Sequence, residues 1–135
     1  MAGLRRFRRG QKGQALVELA LALPLIILLL FGILEFGRIF HSYLVVTHAA
    51  REGARAGAVG KTDAEIIAKI RASAPLPDAA TNLHITELEP AASARTPGVP
   101  LTVEVAYDVE LITPLLQDLF ADPLRLKSRV TMRVE

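Results

Sequence analysis

The sequence predicts an α+β fold in which a long N-terminal transmembrane helix extends into a small outer domain with a mostly antiparallel sheet and short helices. Three patterns lead to this prediction. Residues 19–34 contain no charged side chain, apolar and small residues then recur at helical spacing to about residue 57, and apolar residues alternate along two C-terminal segments. The first two patterns indicate one continuous helix, and the third indicates strands with one buried face.

These patterns divide the chain into a basic leader at 1–13, a transmembrane helix at 14–36, its continuation at 37–60 and an extracytoplasmic α+β domain at 61–135. The leader holds five of the sixteen basic residues and no acid, whereas the rest of the chain has 11 basic and 14 acidic residues. The basic isoelectric point therefore comes from the leader, and no nucleic-acid partner is predicted. Because Lys and Arg stay cytoplasmic, we expect a single-pass protein of the inner (cytoplasmic) membrane with its N-terminus inside.

The apolar run is long enough to cross a bilayer. From Gln14 to Leu34 it has 21 residues, or about 31 Å of helix, against a hydrocarbon core of about 30 Å. Glu18 lies inside this run, where a carboxylate costs free energy. A secretory signal peptide would explain the basic leader and the apolar run but not Glu18, and no convincing small-x-small cleavage site follows the run. A membrane span is the favoured interpretation.

The order of these parts resembles a known cleavage signature. A basic leader ends in Gly13, four residues (QALV) follow, and Glu18 stands fifth before the apolar helix. This order is similar to the prepilin signature of type IV pilins and pseudopilins. Within that group the continuation, over about residues 10–60, resembles the TadE-like family, minor pseudopilins of tight-adherence (Flp) type IV pilus systems. The stretches that carry it are GQALVELALALPLIILLLFGILEFGR and THAAREGARAGA.

The resemblance implies a processing event and a set of partners. A membrane prepilin peptidase would cut between Gly13 and Gln14, and Glu18 would become the fifth residue of the mature chain. The expected partners are the membrane, the prepilin peptidase, the pilus assembly platform and other pilins. We hypothesise that Glu18 neutralises the new α-ammonium of a neighbouring subunit, because two charges that are each costly in apolar surroundings cost less together.

Beyond the span, small residues recur every four positions. Ala49, Gly53 and Gly57 form one row, and a second row holds Ala50, Ala54 and Ala58. Such spacing lets another element approach the helix closely. The stripe can pack on the protein's own sheet or against other subunits, and both can hold along different parts of the helix.

The outer domain shows local signals for each of its elements. Thr62-x-x-Glu65 predicts a capping box at the start of a second helix, and residues 90–98 have the composition of a loop. Leu83 and Ile85 indicate a first short strand. Thr113-Pro114 is typical of the start of a short helix. Two long strands follow from the alternating apolar residues, at Val99, Leu101, Val103, Val105, Tyr107, Val109 and Leu111, and at Leu124, Leu126, Val130, Met132 and Val134.

The other faces of the two long strands carry opposite charges. The first face is acidic, with Glu104, Asp108 and Glu110, and the second is basic, with Arg125, Lys127, Arg129 and Arg133. If the strands are neighbours, opposite charges face each other, at roughly 0.2–1 kcal/mol per pair. A solvated sheet face is the favoured interpretation, and contact with acidic neighbours in an assembly is the alternative.

The sequence shows no recognisable set of catalytic or metal-binding residues. The chain has no Cys, and His41, His48 and His84 do not form a set of metal ligands by their spacing. No phosphate-binding loop or nucleophile turn is found. We therefore expect no enzyme, no cofactor, no metal and no small-molecule substrate.

Three functions stay open, and the mature N-terminus separates them. The favoured one is a membrane-anchored minor pseudopilin that takes part in Tad/Flp pilus assembly. The alternative is an uncleaved single-span envelope binding domain, and the third is a secreted soluble domain cut after residue 34.

Overall fold

The computed structural model describes the backbone of residues 7–113, 117, 118, 120 and 123–135, with side chains from Gly13 onward. Its elements are helices α1 (Phe7–Ala58), α2 (Asp63–Ala72) and α3 (Ala79–Asn82), strands β1 (Leu83–Glu89), β2 (Pro100–Val109) and β3 (Leu124–Arg133), and a 3-10 turn at Ala92–Ala94. The chain divides into two compact units, Met1–Phe36 and Gly37–Glu135. The predicted α+β fold, with a long apolar N-terminal helix and a small antiparallel sheet, is confirmed.

Helix α1 ends where a glycine permits a left-handed backbone. Gly60 has φ +78°, its N–H donates to the Gly57 carbonyl at 3.1 Å, and the Lys61 N–H donates to the Ala56 carbonyl at 3.1 Å. These two bonds form a Schellman motif, which satisfies carbonyls that the last turn of a helix leaves open. The motif turns the chain directly into α2.

Helix α2 begins with the predicted capping box. The Thr62 side chain accepts from the Glu65 backbone N–H, and the Glu65 carboxylate accepts from the Thr62 backbone N–H at 3.0 Å. Two otherwise open donors are thereby satisfied. Ile66 and Ile70 on the inner side of α2 are fully buried, so the cap fixes the register in which α2 covers the core.

The capping box makes the unit Gly37–Glu135, called the outer unit below, sensitive to acid. The hydrogen bond from the Thr62 backbone, followed by that from Lys61, lowers the pKa of Glu65 from 4.5 to about 2. Since the folded-state pKa lies below the unfolded one, this group stabilises the fold fully above pH 4.5 and loses its contribution as the pH falls toward 2. We expect the melting temperature of the parent to exceed that of Glu65→Gln at neutral pH, with the gap closing across this window. A gap that does not change with pH would contradict the prediction.

The sheet has the order β1-β2-β3, with both pairs antiparallel. Its central strand alternates as predicted, since Leu101, Val103 and Val105 are fully buried and Tyr107 is 5% exposed. A register shift between Ile85 and Glu87 interrupts β1. The buried faces of the sheet, α1 and α2 together form one hydrophobic core within the unit Gly37–Glu135.

Two local predictions have different outcomes. The loop at 90–98 is confirmed apart from its single 3-10 turn. The short helix expected from Thr113-Pro114 lies largely outside the described residues.

Candidate functional site

The first part of α1 has the surface of a membrane-embedded helix. Its large apolar side chains are exposed on every side, from 43% for Ile27 to 76% for Leu21. Among the residues that the structure describes, one helix, Gly13–Ala58, is long and apolar enough to cross a membrane. A helix that is apolar all round needs either a protein core or lipid around it, and none of the apolar window is buried within the protein.

The three residues of the predicted processing site lie within α1, and the first of them, Gly13, comes six residues after the start of the helix at Phe7. A Cβ built at Gly13 meets no atom within 4 Å. One turn further, the Gln14 side-chain Nε2 donates to the Glu18 carboxylate Oε1 at 3.1 Å, and both residues are exposed. The carboxylate thus stands one helical turn from the bond that we expect to be cut, and it already binds a group of the residue that would become the N-terminus.

The glycines of the small-residue stripe lie against α2 and β2 of the same unit. Ala49 is fully buried, a Cβ at Gly53 would come within 2.5 Å of Ile70 Cγ1, and a Cβ at Gly57 would come within 2.1 Å of Leu101 Cδ2. At the two glycines, α1 therefore approaches α2 and β2 of the same chain so closely that a side chain cannot fit without movement.

On the face of the sheet that lies away from the core, acidic side chains of one strand pair with basic side chains of the next. We call this set of ion pairs the ladder. Glu104 lies opposite Arg129, and Asp108 lies opposite Arg125, as predicted for neighbouring strands. Arg125 binds Asp108 through two bonds, at 2.7 and 2.8 Å. Arg129 Nε donates to Glu104 Oε2 at 3.1 Å, and its Nη2 donates to Glu87.

These hydrogen bonds lower the pKa values of two carboxylates in the ladder. Arg125 lowers the pKa of Asp108, and a 2.8 Å bond from the Thr86 hydroxyl, more than Arg129, lowers the pKa of Glu104. Both carboxylates therefore stay charged at physiological pH. Because the arginines of these pairs are more than half exposed to solvent, each pair contributes little to stability, and the basic row is largely neutralised within the domain.

The described residues show no metal-binding constellation. No group of three His, Cys, Asp or Glu side chains converges among them. His41 and His48 are exposed on α1, and His84 Nε2 lies 3.2 Å from Asp108 Oδ2 as part of the ladder.

Sequence reasoning missed several long-range contacts within the outer unit. Arg38 Nη2 donates to the Glu110 carbonyl, and the Tyr107 hydroxyl donates to the Pro77 carbonyl at 2.8 Å. Arg95, whose side chain is 4% exposed, lies 2.6 Å from Asp63. Neither periodicity nor local motifs carry a signal for such pairs.

The single apolar N-terminal helix and the small sheet domain suggest a membrane-anchored, single-pass protein. A family model described as TadE, TadE-like protein, matches residues 13–55. The match confirms the resemblance drawn from the same stretch, and with the candidate span it fits a membrane protein associated with a Tad pilus. No curated protein and no solved structure gives a significant match to the chain.

Proposed function

We propose that the protein is a minor pseudopilin that a prepilin peptidase cuts between Gly13 and Gln14 and that then takes part in Tad/Flp pilus assembly. In this proposal α1 holds the chain in the inner membrane, with the leader in the cytoplasm and the unit Gly37–Glu135 outside. The assembly platform and other pilins are its partners.

One observation carries this proposal. The family match begins at Gly13 and includes Glu18, so it contains both parts of the processing signature. The same residues are exposed, and the Gly13 Cβ position is open. No other part of the chain that the structure describes therefore covers this segment.

The proposed role of Glu18 follows from charge. Cleavage would create an α-ammonium on Gln14, whose side chain binds Glu18 in the uncut helix. In an assembly the carboxylate would pair with the ammonium of a neighbouring subunit, and each charge would reduce the cost of burying the other. A subunit without a free N-terminus would leave Glu18 unpaired, so the pair selects processed subunits.

Processing is tested by the substitution Gly13→Leu. A Leu side chain adjacent to the scissile bond obstructs close approach of the peptidase, and the variant should accumulate as the full-length membrane protein. The open Cβ position means that the fold itself tolerates the change. N-terminal sequencing or intact-mass measurement of the membrane fraction gives the result.

A matched control makes the test specific. Gly37→Leu introduces the same side chain into the same helix at another open position, and it should be cut normally. If both variants carried Gln14 as their N-terminal residue, the proposed cleavage site would be wrong. An intact terminus in the parent would support the uncleaved single-span alternative.

A further inference from the structure

A groove lies between α1 and α2 on the surface of the outer unit. It has a volume of about 430 Å³, and the residues that line it come from the end of α1, the following turn and α2: Ala56, Val59, Lys61, Glu65, Ala68 and Lys69. All of them except Ala56 are exposed, so the groove is open to solvent. Small molecules bind in clefts that enclose most of their surface, whereas an open groove between helices fits a segment of protein.

The apolar lining of this groove, which we call the floor, consists of small side chains. Ala56 comes from α1 and Ala68 from α2, and Val59 beside them is 56% exposed. The distance at which helices pack depends on the side chains at their contact, and alanines permit a close approach. A further helix can therefore pack across these two, with its apolar side chains against the floor.

The charged side chains around the floor are unequally paired. Lys61 lies 3.0 Å from Glu65, and Lys69 lies 3.4 Å from Glu52, so each lysine is neutralised by a carboxylate of the same chain. Arg55 lines the adjoining part of the groove and is exposed. Among the residues that the structure describes, Arg55 forms no ion pair. The groove therefore presents an uncompensated positive charge beside an apolar floor, which favours a partner with a carboxylate.

A second copy of the chain does not offer that carboxylate on a helix of the outer unit. In α1 from Gly37 onward, α2 and α3, the acidic residues are Glu52, Asp63 and Glu65. Glu52 and Glu65 bind lysines, and Asp63 lies 2.6 Å from Arg95. Each of these carboxylates is thus already paired within its own chain. The complementary helix has to come from a different protein.

We propose that the groove between α1 and α2 docks an acidic amphipathic helix of another protein. Its apolar side chains would pack on the floor, and a carboxylate beside them would pair with Arg55. Such helices bind grooves through apolar side chains at positions i, i+3, i+4 and i+7. The inference uses only the geometry of the outer unit, so it is independent of cleavage at Gly13 and of entry into a pilus.

Binding of synthetic helices tests this surface. The probes are fluorescent helical peptides with Leu, Met or Phe at i, i+3, i+4 and i+7 and Glu beside them, added to the full-length protein in phosphatidylcholine nanodiscs. Fluorescence anisotropy should show saturable binding to the parent. Arg55→Glu should weaken it about fivefold or more, because an attraction becomes a repulsion. Peptides with Lys in place of Glu should show the reverse preference.

Two variants separate docking in the groove from general charge attraction. Arg71→Glu makes the same charge change at an exposed position of α2 that does not line the groove, and it should bind the acidic peptides like the parent. Ala68→Arg adds a positive charge but fills the floor, so it should lose binding. Equal weakening by Arg55→Glu and Arg71→Glu, or tighter binding by Ala68→Arg, would contradict the proposal. Melting temperatures confirm that each variant is folded.

Other results would give the groove a different occupant or none. If no acidic peptide binds the folded parent, the proposal is wrong. Self-association of the parent that Arg55→Glu abolishes, without peptide binding, would identify a second copy as the occupant. The chain has no cysteine, so a single label at Val59→Cys reports on the groove. Shielding of this label from water in phosphatidylglycerol nanodiscs without peptide would assign the groove to anionic lipid.

Discussion

Gly57→Leu should destabilise the outer unit by about 3 kcal/mol, at the upper end of what overpacking costs. The Cβ alone would come within 2.1 Å of Leu101 Cδ2 and 3.1 Å of Ile66 Cδ1, and both neighbours are fully buried. Domains are stable by only about 5–15 kcal/mol, so this loss is large. Urea unfolding of the full-length protein in detergent, followed through the fluorescence of its two tyrosines, measures it.

The control for this change is Gly37→Leu in the same helix. Nothing lies within 4 Å of its Cβ position, so better helix propensity should stabilise the helix by about 1 kcal/mol. If Gly57→Leu were as stable as the parent but no longer cross-linked to partner pilins, the stripe would face another subunit. A destabilised protein that still inserts supports packing within the chain.

Glu18→Gln should separate membrane insertion from assembly. Glutamine has the size of glutamate without the charge, and a charged side chain in a span costs up to roughly 2.5–3.5 kcal/mol, less toward its edge. The variant should therefore insert at least as well as the parent. It should nevertheless join the pilus complex poorly, because a neutral side chain cannot neutralise an ammonium.

Two further variants sharpen this comparison. Glu18→Asp keeps the charge on a shorter side chain and should be intermediate. Glu89→Gln removes an exposed carboxylate on β1 and should change neither property. Membrane fractionation and co-purification of partner pilins are compared for all three. Assembly of Glu18→Gln at the parental level would show that Glu18 is a tolerated carboxylate at the membrane edge.

The features that could be predicted depend on residues close together in the sequence. The capping box of Thr62 and Glu65 and the alternation in β2 each follow from spacing within one element. The opposition of Glu104 and Arg129 required only that β2 and β3 pair. The bond from Arg38 to Glu110 joins residues 72 positions apart, and no periodicity encodes such a pair.

The candidate site was also only partly predictable from the sequence. Gly13, Gln14 and Glu18 were found by spacing and resemblance, whereas the partner of the small-residue stripe was left open. Small residues indicate only that something approaches the helix. The identity of that element depends on the three-dimensional path of α2 and β2, which places Ile70 and Leu101 against the glycines.

The interrupted strand β1 and the basic strand β3 have a consequence for how copies of the protein meet. In the described sheet these two strands are the edges, where unpaired backbone groups attract further strands. The register shift between Ile85 and Glu87 breaks the regular row of such groups on one side. On the other edge, β3 carries the long charged side chains of Arg125, Lys127 and Arg129, which hinder the approach of a further strand although their charges are paired within the sheet. Both edges therefore oppose the addition of a strand from a second copy of the chain.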